Sequence, residues 1–305
     1  MGILQIEENV YLNDLHTSSF PLSILQAYEN FSAFWLLNLI IPISFEKKFN
    51  NVLTYDFPYF WRWDCFDVKF PRLLYKTCCL EFMKKQLLSD YYMFISVNEK
   101  YIPNRYAYQR IDYMHDLLVY GYDKQHREFM TIAYNEKAQY TTQIISEYNI
   151  YQSFVNSKEP FCKCCALKPK TQYDFNYINY KKISNDLLNY YNPLKKNKGF
   201  LAYEMLIHNC YPNKKYEYAI DLRSFRMMRD RANLFFKLQR VLKIIKNTDY
   251  IEENMMISKL LLNLAIKYNT TNNYVLINKI HKLIEAYSKN EFGFLKYSEF
   301  YKEEM

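Results

Sequence analysis

His115 and Asn135 are the residues whose types and spacing suit proton-transfer chemistry. The run Tyr113-Met114-His115-Asp116-Leu117-Leu118-Val119-Tyr120-Gly121-Tyr122 is rich in β-branched and aromatic side chains, as is Glu128-Phe129-Met130-Thr131-Ile132-Ala133-Tyr134. Both read as strands. The short polar stretch Asp123-Lys124-Gln125-His126-Arg127 between them suits a hairpin loop, with Gly121 free to take a bulge. In an antiparallel hairpin centred on Gln125, His115 falls opposite Asn135, with Cβ atoms roughly 4.5–5.5 Å apart. The Asn135 amide carbonyl can then accept from one imidazole nitrogen and fix the tautomer, leaving the other nitrogen as a base. Asp116 points to the opposite face. A slip of one residue would set Tyr134 against His115 instead. The competing reading is a strand histidine satisfied within a half-buried sheet.

The elements around this hairpin follow from pattern. Thr17, Ser18 and Ser19 offer capping hydroxyls to a helix within His16–Leu39, with Pro21 in its first turn and Ile24, Tyr28, Phe31 and Trp35 on one face. A second helix is expected from Phe70-Pro71 to Leu88, a strand over Tyr91–Val97, and a helix over Ile144–Phe154. The polar Lys158–Lys198 stretch reads as a connection, giving domains at 1–157 and 199–305 with 158–198 between them. Beyond it, Tyr216, Tyr218, Ile220 and Leu222 alternate as a short strand. Leu234, Phe235, Leu238, Val241, Leu242 and Ile245 keep a helical period, as do Met256–Tyr268 and Leu276–Tyr287. Such stripes are read as core packing rather than a partner groove.

At 305 residues the chain exceeds the usual single domain, and 50% apolar residues suffice for a buried core. With 4 Gly there is no Gly-rich phosphate loop, which argues against nucleotide binding. The net charge of +8 favours acidic partners. Its lysines and arginines are scattered, densest at Lys181-Lys182, Lys195 to Lys198 and Arg223 to Arg231, with no zinc-finger, helix-turn-helix or RNA-recognition signature, so nucleic acid is not expected. Phe34–Ile41 is too short to span a bilayer and reads as a buried helix. The opening residues carry no secretory pattern, and seven cysteines, an odd number, suit the reduced thiols of a cytoplasmic protein. Cys162, Cys164 and Cys165 cluster; zinc would require His208 and Cys210 as well, and free thiols in a loop are the simpler expectation.

Tyr101-Ile102-Pro103, Tyr108 and His115-Asp116-Leu117-Leu118-Val119-Tyr120-Gly121-Tyr122-Asp123 resemble the signature of the butirosin side-chain acyltransferase family, and Asp221-Leu222-Arg223-Ser224-Phe225 resembles a segment of its C-terminal part. The resemblance implies an α+β chain: a papain-like cysteine-peptidase fold of helix plus antiparallel sheet, then a mostly helical C-terminal domain. It also implies acyl transfer from a carrier-protein thioester to an amine in antibiotic or peptide biosynthesis. The site would join a cysteine at the start of the first helix, a histidine on a strand and an acidic or amide residue on the next strand. His115 matches the second and Asn135 the third. The family's His-Cys pair is replaced by His16-Thr17-Ser18-Ser19, and no cysteine precedes Cys65. The nucleophile position therefore holds Thr17 or Ser18, with Asn13 as an oxyanion-stabilising amide.

A hydroxyl must be deprotonated during attack, whereas a thiolate beside imidazolium is already nucleophilic. Three readings follow: an acyltransferase using Thr17 or Ser18 as acyl acceptor, or His115 as base in a direct transfer; a pseudoenzyme whose cleft binds a carrier protein or peptide; and a cysteine peptidase using Cys65 or Cys78. The expected partners are an acyl or peptidyl carrier protein and a small amine or peptide. No cofactor is expected beyond the phosphopantetheine that presents the substrate.

Overall fold

A computed structural model describes residues 2–13, 15–46, 52–56, 59–71, 74–158, 161–209, 220–242 and 249–296. In chain order its elements are β1 (Gly2–Ile3), α1 (His16–Leu25), α2 (Leu37–Ile40), β2 (Ile43–Glu46), β3 (Val52–Tyr55), β4 (Phe66–Lys69), α3 (Cys79–Leu87), β5 (Tyr92–Asn98), β6 (Met114–Asp123), β7 (Glu128–Tyr134), β8 (Tyr140–Ser146), α4 (Glu147–Val155), β9 (Cys164–Pro169), α5 (Tyr180–Tyr191), α6 (Leu201–Asn209), α7 (Arg223–Leu242), α8 (Asp249–Thr271) and α9 (Val275–Lys296). Among the described residues the chain is thus α+β, with nine helices and two antiparallel sheets. It clusters into two compact units that interleave in sequence. The first takes Met1–Val10, His16–Glu29 and Pro58–Tyr173; the second takes Tyr11–Leu15, Asn30–Phe57 and Asp174–Met305.

The first unit is built on a sheet of order β4-β9-β5-β6-β7-β8, with β1 also paired to β6. The expected strands over 91–97, 113–122 and 128–135 correspond to β5, β6 and β7. Pairing begins at Asp123↔Glu128 and shifts by one residue between Val119 and Gly121 before continuing through Val119↔Thr131 and Leu118↔Ile132. A bulge therefore sits where the glycine allows it. A Cβ on Gly121 would come within 3.3 Å of Ile3 Cα and of Met130 Sδ, so any larger residue would have to push β1 or the Met130 side chain back by a few tenths of an ångström.

Several boundaries differ from the sequence expectation. The helix from His16 ends at Leu25; Pro21 lies in its second turn and removes the donor for the Thr17 carbonyl. Of the face Ile24, Tyr28, Phe31 and Trp35, only Ile24 is in α1. Helical structure resumes at Ala33–Leu36 and α2, where Ser32 caps Phe34 N–H. The helix expected from residue 144 starts at Glu147, because 140–146 pairs along the whole of β7 and Ser146 supplies the N-cap to Asn149 N–H. Among the described residues of the segment from 70 to 88, helix runs from Lys76 to Leu87. The stretch read as a connection, 158–198, contains β9 and α5. Tyr216, Tyr218, Ile245 and Cys210 lie outside the described residues.

In the second unit the described elements after residue 174 are all helices, α5 to α9. Leu234, Phe235 and Leu238 of α7 and Leu276, Ile277, Ile280, Ile284 and Tyr287 of α9 are buried, as the helical period requires. The centre is ionic rather than apolar. Arg231 and Glu291, both fully buried, pair at 2.8 Å. Arg231 also donates to the carbonyls of Ile40 and Ile41, while the hydroxyls of Tyr190 and Tyr203 donate to Glu291 Oε1 at 2.9 and 3.1 Å. Among the described residues no helix is long and apolar enough to cross a membrane. Removing one partner leaves a buried unpaired charge, so Arg231→Met is expected to destabilise the protein by about 3–5 kcal/mol. Urea denaturation followed by circular dichroism measures this; an unchanged midpoint would mean the ion pair is dispensable.

Candidate functional site

His115 lies near the start of β6, where the β6–β7 ladder has opened beyond Leu118↔Ile132. The reason is Arg105. Its guanidinium donates to the Tyr134 carbonyl and to the Asp116 carbonyl (3.3 Å), taking acceptors that the ladder would otherwise use. Arg105 is held in turn by Glu99, whose Oε1 receives Nε at 2.8 Å and a terminal nitrogen at 2.5 Å. The two side chains are 1% and 4% exposed.

The same carboxylate oxygen lies 2.7 Å from His115 Nδ1, and Arg105 lies 3.1 Å from that nitrogen. Nδ1 cannot accept from Arg105 and donate to Glu99 at once. The carboxylate contact is shorter and joins donor to anion, so in the neutral ring Nδ1 carries the proton and Nε2 the lone pair. The ring is 35% exposed and packs beside Tyr113, centroids 5.4 Å apart. Burial raises the Glu99 carboxyl, but the His115 hydrogen bond and the Arg105 charge outweigh it and hold the group below its ordinary value. Burial lowers Arg105, against the opposing pull of Glu99. Asp116, which accepts only through its backbone in this network, has its carboxyl raised by burial, opposed by the charges of His115 and Arg105.

Asn135 does not take the part expected of it. Its Oδ1 accepts from the backbone N–H groups of Lys137 (2.9 Å) and Gln139 (3.0 Å), and its amide donates to Gln139 Oε1. The side chain is committed to closing the β7–β8 turn, and Arg105 fills the gap across which it would have faced His115. Glu99 is the residue that orients the imidazole.

The first turn of α1 does reach His115, and the side chain that meets it is His16. Its ring is 4.5 Å from His115, 4.5 Å from Phe20 in a stack, and 4.9 Å from Tyr134. Thr17 is half-buried and Ser18 buried in the same turn. Asn13 belongs to the second unit, where its backbone N–H donates to Asp230 at 3.1 Å. Cys65 is fully buried, and burial pushes its thiol up, opposite to an activated nucleophile. Cys164 and Cys165 are on β9 rather than in a loop. Among the described residues no three His, Cys, Asp or Glu side chains are arranged to hold a metal.

Glu99 and Arg105 were missed by the sequence reading. Glu99 stands just before the Tyr101–Asn135 stretch and Arg105 within it, yet nothing local marks either charge as buried. The available signal was a Glu and an Arg in a loop of Tyr, Ile and Pro leading into the histidine strand. No protein-family model matches the chain, and no curated protein matches it significantly.

His16 Nε2 is buried without a hydrogen-bond partner, and burial, followed by the charges of His115 and Arg105, holds its imidazole well below the ordinary value of 6.5. The unfolded chain then binds a proton that the folded chain refuses. Stability contributed by the neutral ring is present above pH 6.5 and falls as acid is added below it. A His16→Phe variant keeps a ring against Phe20 and removes this penalty. Its stability relative to wild type is expected to rise as pH is lowered from 7 to 5 in urea denaturation; a pH-independent difference would show that His16 titrates normally.

Proposed function

We propose that the first unit is an acyl-transfer site in which His115 is the base of a direct transfer. An amine attacks the carbonyl of a thioester presented on the phosphopantetheine of a carrier protein. His115 Nε2 takes the proton that the nitrogen loses on attack, and the tetrahedral intermediate expels the thiolate, which recovers that proton. Amide and free thiol result. The observation that carries the reading is the 2.7 Å contact of His115 Nδ1 with the buried Glu99 carboxylate, which fixes the tautomer and stabilises the imidazolium as it forms. The acyl substrate class rests on the family resemblance of residues 101–123, as does the papain-like description of the fold. A net charge of +8 suits the acidic surface usual for carrier domains.

The second reading, a cleft that binds a carrier protein without chemistry, is favoured by the absence of cysteine before Cys65 and by the His16 ring at 4.5 Å from His115.

Incubation of the full chain with an acyl-phosphopantetheine thioester and a small amine, read by mass spectrometry, separates the readings. Direct transfer gives amide with no protein adduct, and His115→Ala lowers the rate about 10²–10⁴-fold. An intact-mass increase lost in Thr17→Val would assign the covalent route to Thr17. Amide formation undiminished in His115→Ala would overturn the proposal. Neither product nor adduct, with carrier-protein association that weakens as salt rises, would leave the binding reading, and a Thr17→Cys change that gains transfer would show the remaining machinery to be intact.

A further inference from the structure

The first unit contains a second group of reactive side chains, apart from His115. Cys79 opens α3 and is fully buried. Cys162 lies just before β9 and Cys164 begins it. Backbone pairing brings them together: Tyr75 and Phe161 form an antiparallel bridge, Cys162 N–H donates to the Leu74 carbonyl at 3.0 Å, and Cys164 is fixed opposite Ile95 of β5. Cys162 and Cys164 are the groups that act most strongly on the Cys79 thiol.

The surroundings of the three sulfurs are unequal. Cys162 is half-buried and borders a cavity of about 10 Å³, also lined by Lys76, Ser96, Ser157 and Lys163, which has room for one water. The hydrogen bond from Cys79 pulls the Cys162 thiol down, with the Lys76 ammonium adding to it against burial. Hydrogen bonds to Cys162 and Cys164, then burial, push Cys79 up. Of the two, Cys162 is therefore the more readily ionised thiol.

We propose that Cys162 and Cys79 are a thiol–disulfide pair, oxidised by a small-molecule disulfide. The Cys162 thiolate attacks one sulfur of the external disulfide, forming a mixed disulfide and releasing the other half as thiolate. Cys79, on the neighbouring segment, then attacks the Cys162 sulfur and expels the second half, which takes the Cys79 proton and leaves as thiol. Two protein thiols are oxidised to one protein disulfide, and one external disulfide is reduced to two thiols. The bond ties the start of α3 to the head of β9, the strand that borders β5 and so the strand that leads to Glu99. Cys164 stays reduced, because its backbone is held in the β5–β9 ladder and its neighbour Cys79 is consumed.

The test uses the reduced full chain, treated with oxidised glutathione, alkylated under denaturing conditions and digested with trypsin. Cleavage after Lys163 separates Cys162 from Cys164, and fragmentation of the 77–84 peptide, which carries both Cys78 and Cys79, assigns the linked one by the position of the alkyl group. The expected result is loss of two of the seven alkylatable thiols, a reductant-sensitive link between the Cys79 and Cys162 peptides, and a raised melting temperature. Cys162→Ser is expected to abolish the two-thiol loss, while Cys164→Ser and Cys78→Ser leave it unchanged. No thiol loss, a lasting glutathione adduct without a linked peptide, or linkage through Cys164 or Cys78 would each overturn the pair. Peptide assignment on the wild-type chain decides the matter even where Cys162→Ser fails to fold.

Discussion

The first unit depends on one buried ion pair, Glu99 with Arg105. Ionised groups taken out of water carry a penalty of several kcal/mol each, and this pair offsets it only because nearly every donor and acceptor is used. Arg105 satisfies Glu99, the Tyr134 carbonyl and the Asp116 carbonyl. A planar cation with five donors can end a β-ladder in this way; a lysine, with a single charged nitrogen, cannot reach the same set. The end of the ladder, the orientation of the imidazole and the burial of two charges are one arrangement.

The second unit uses the same device to a different end. Arg231 with Glu291 also joins an arginine, a glutamate and backbone carbonyls, those of Ile40 and Ile41. Burial lowers the guanidinium, but Glu291 outweighs it and holds the group above its ordinary value. Burial pushes the hydroxyls of Tyr190 and Tyr203, which bond Glu291, well up. In the first unit the corresponding position is taken by a histidine that is 35% exposed. Burial of a charged pair thus serves structure in one unit, and in the other fixes a group that can exchange protons with solvent.

What the sequence made legible follows the range of the forces involved. The hairpin of β6 and β7, its bulge at Gly121 and the place of His115 were readable because alternation, turn polarity and glycine act within a few residues. The β8 strand was partly hidden, since Ile144 and Ile145 fit a helical start as well as a strand, and pairing with β7 decided it. Asn135 was assigned by register arithmetic that misses by one residue between the turn and Gly121, holds at Val119↔Thr131 and Leu118↔Ile132 once the bulge has shifted the pairing, and stops where Arg105 enters. Glu99 could not be found from spacing, because a glutamate in a polar loop looks solvated until its arginine is placed over it. The nearness of Cys79 to Cys162 was likewise invisible, being set by the pairing of β9 with β5 and of Phe161 with Tyr75.

Under the proposed direct transfer, the arrangement of charge also bears on how His115 would act without a cysteine beside it. In a cysteine–histidine pair the thiolate is the anion that stabilises the imidazolium, so loss of sulfur removes nucleophile and counter-ion together. Here the counter-ion is Glu99, supplied from the end of β5 and independent of α1. Arg105 neutralises that carboxylate while the imidazole is uncharged. When His115, a 35% exposed side chain, takes a proton on Nε2, the Nδ1 proton stays hydrogen-bonded to Glu99 Oε1. The site can therefore accept a proton without moving a side chain, which is what a general base must do. His16, packed beside His115, is held well below its ordinary value by burial first and then by the charges of His115 and Arg105.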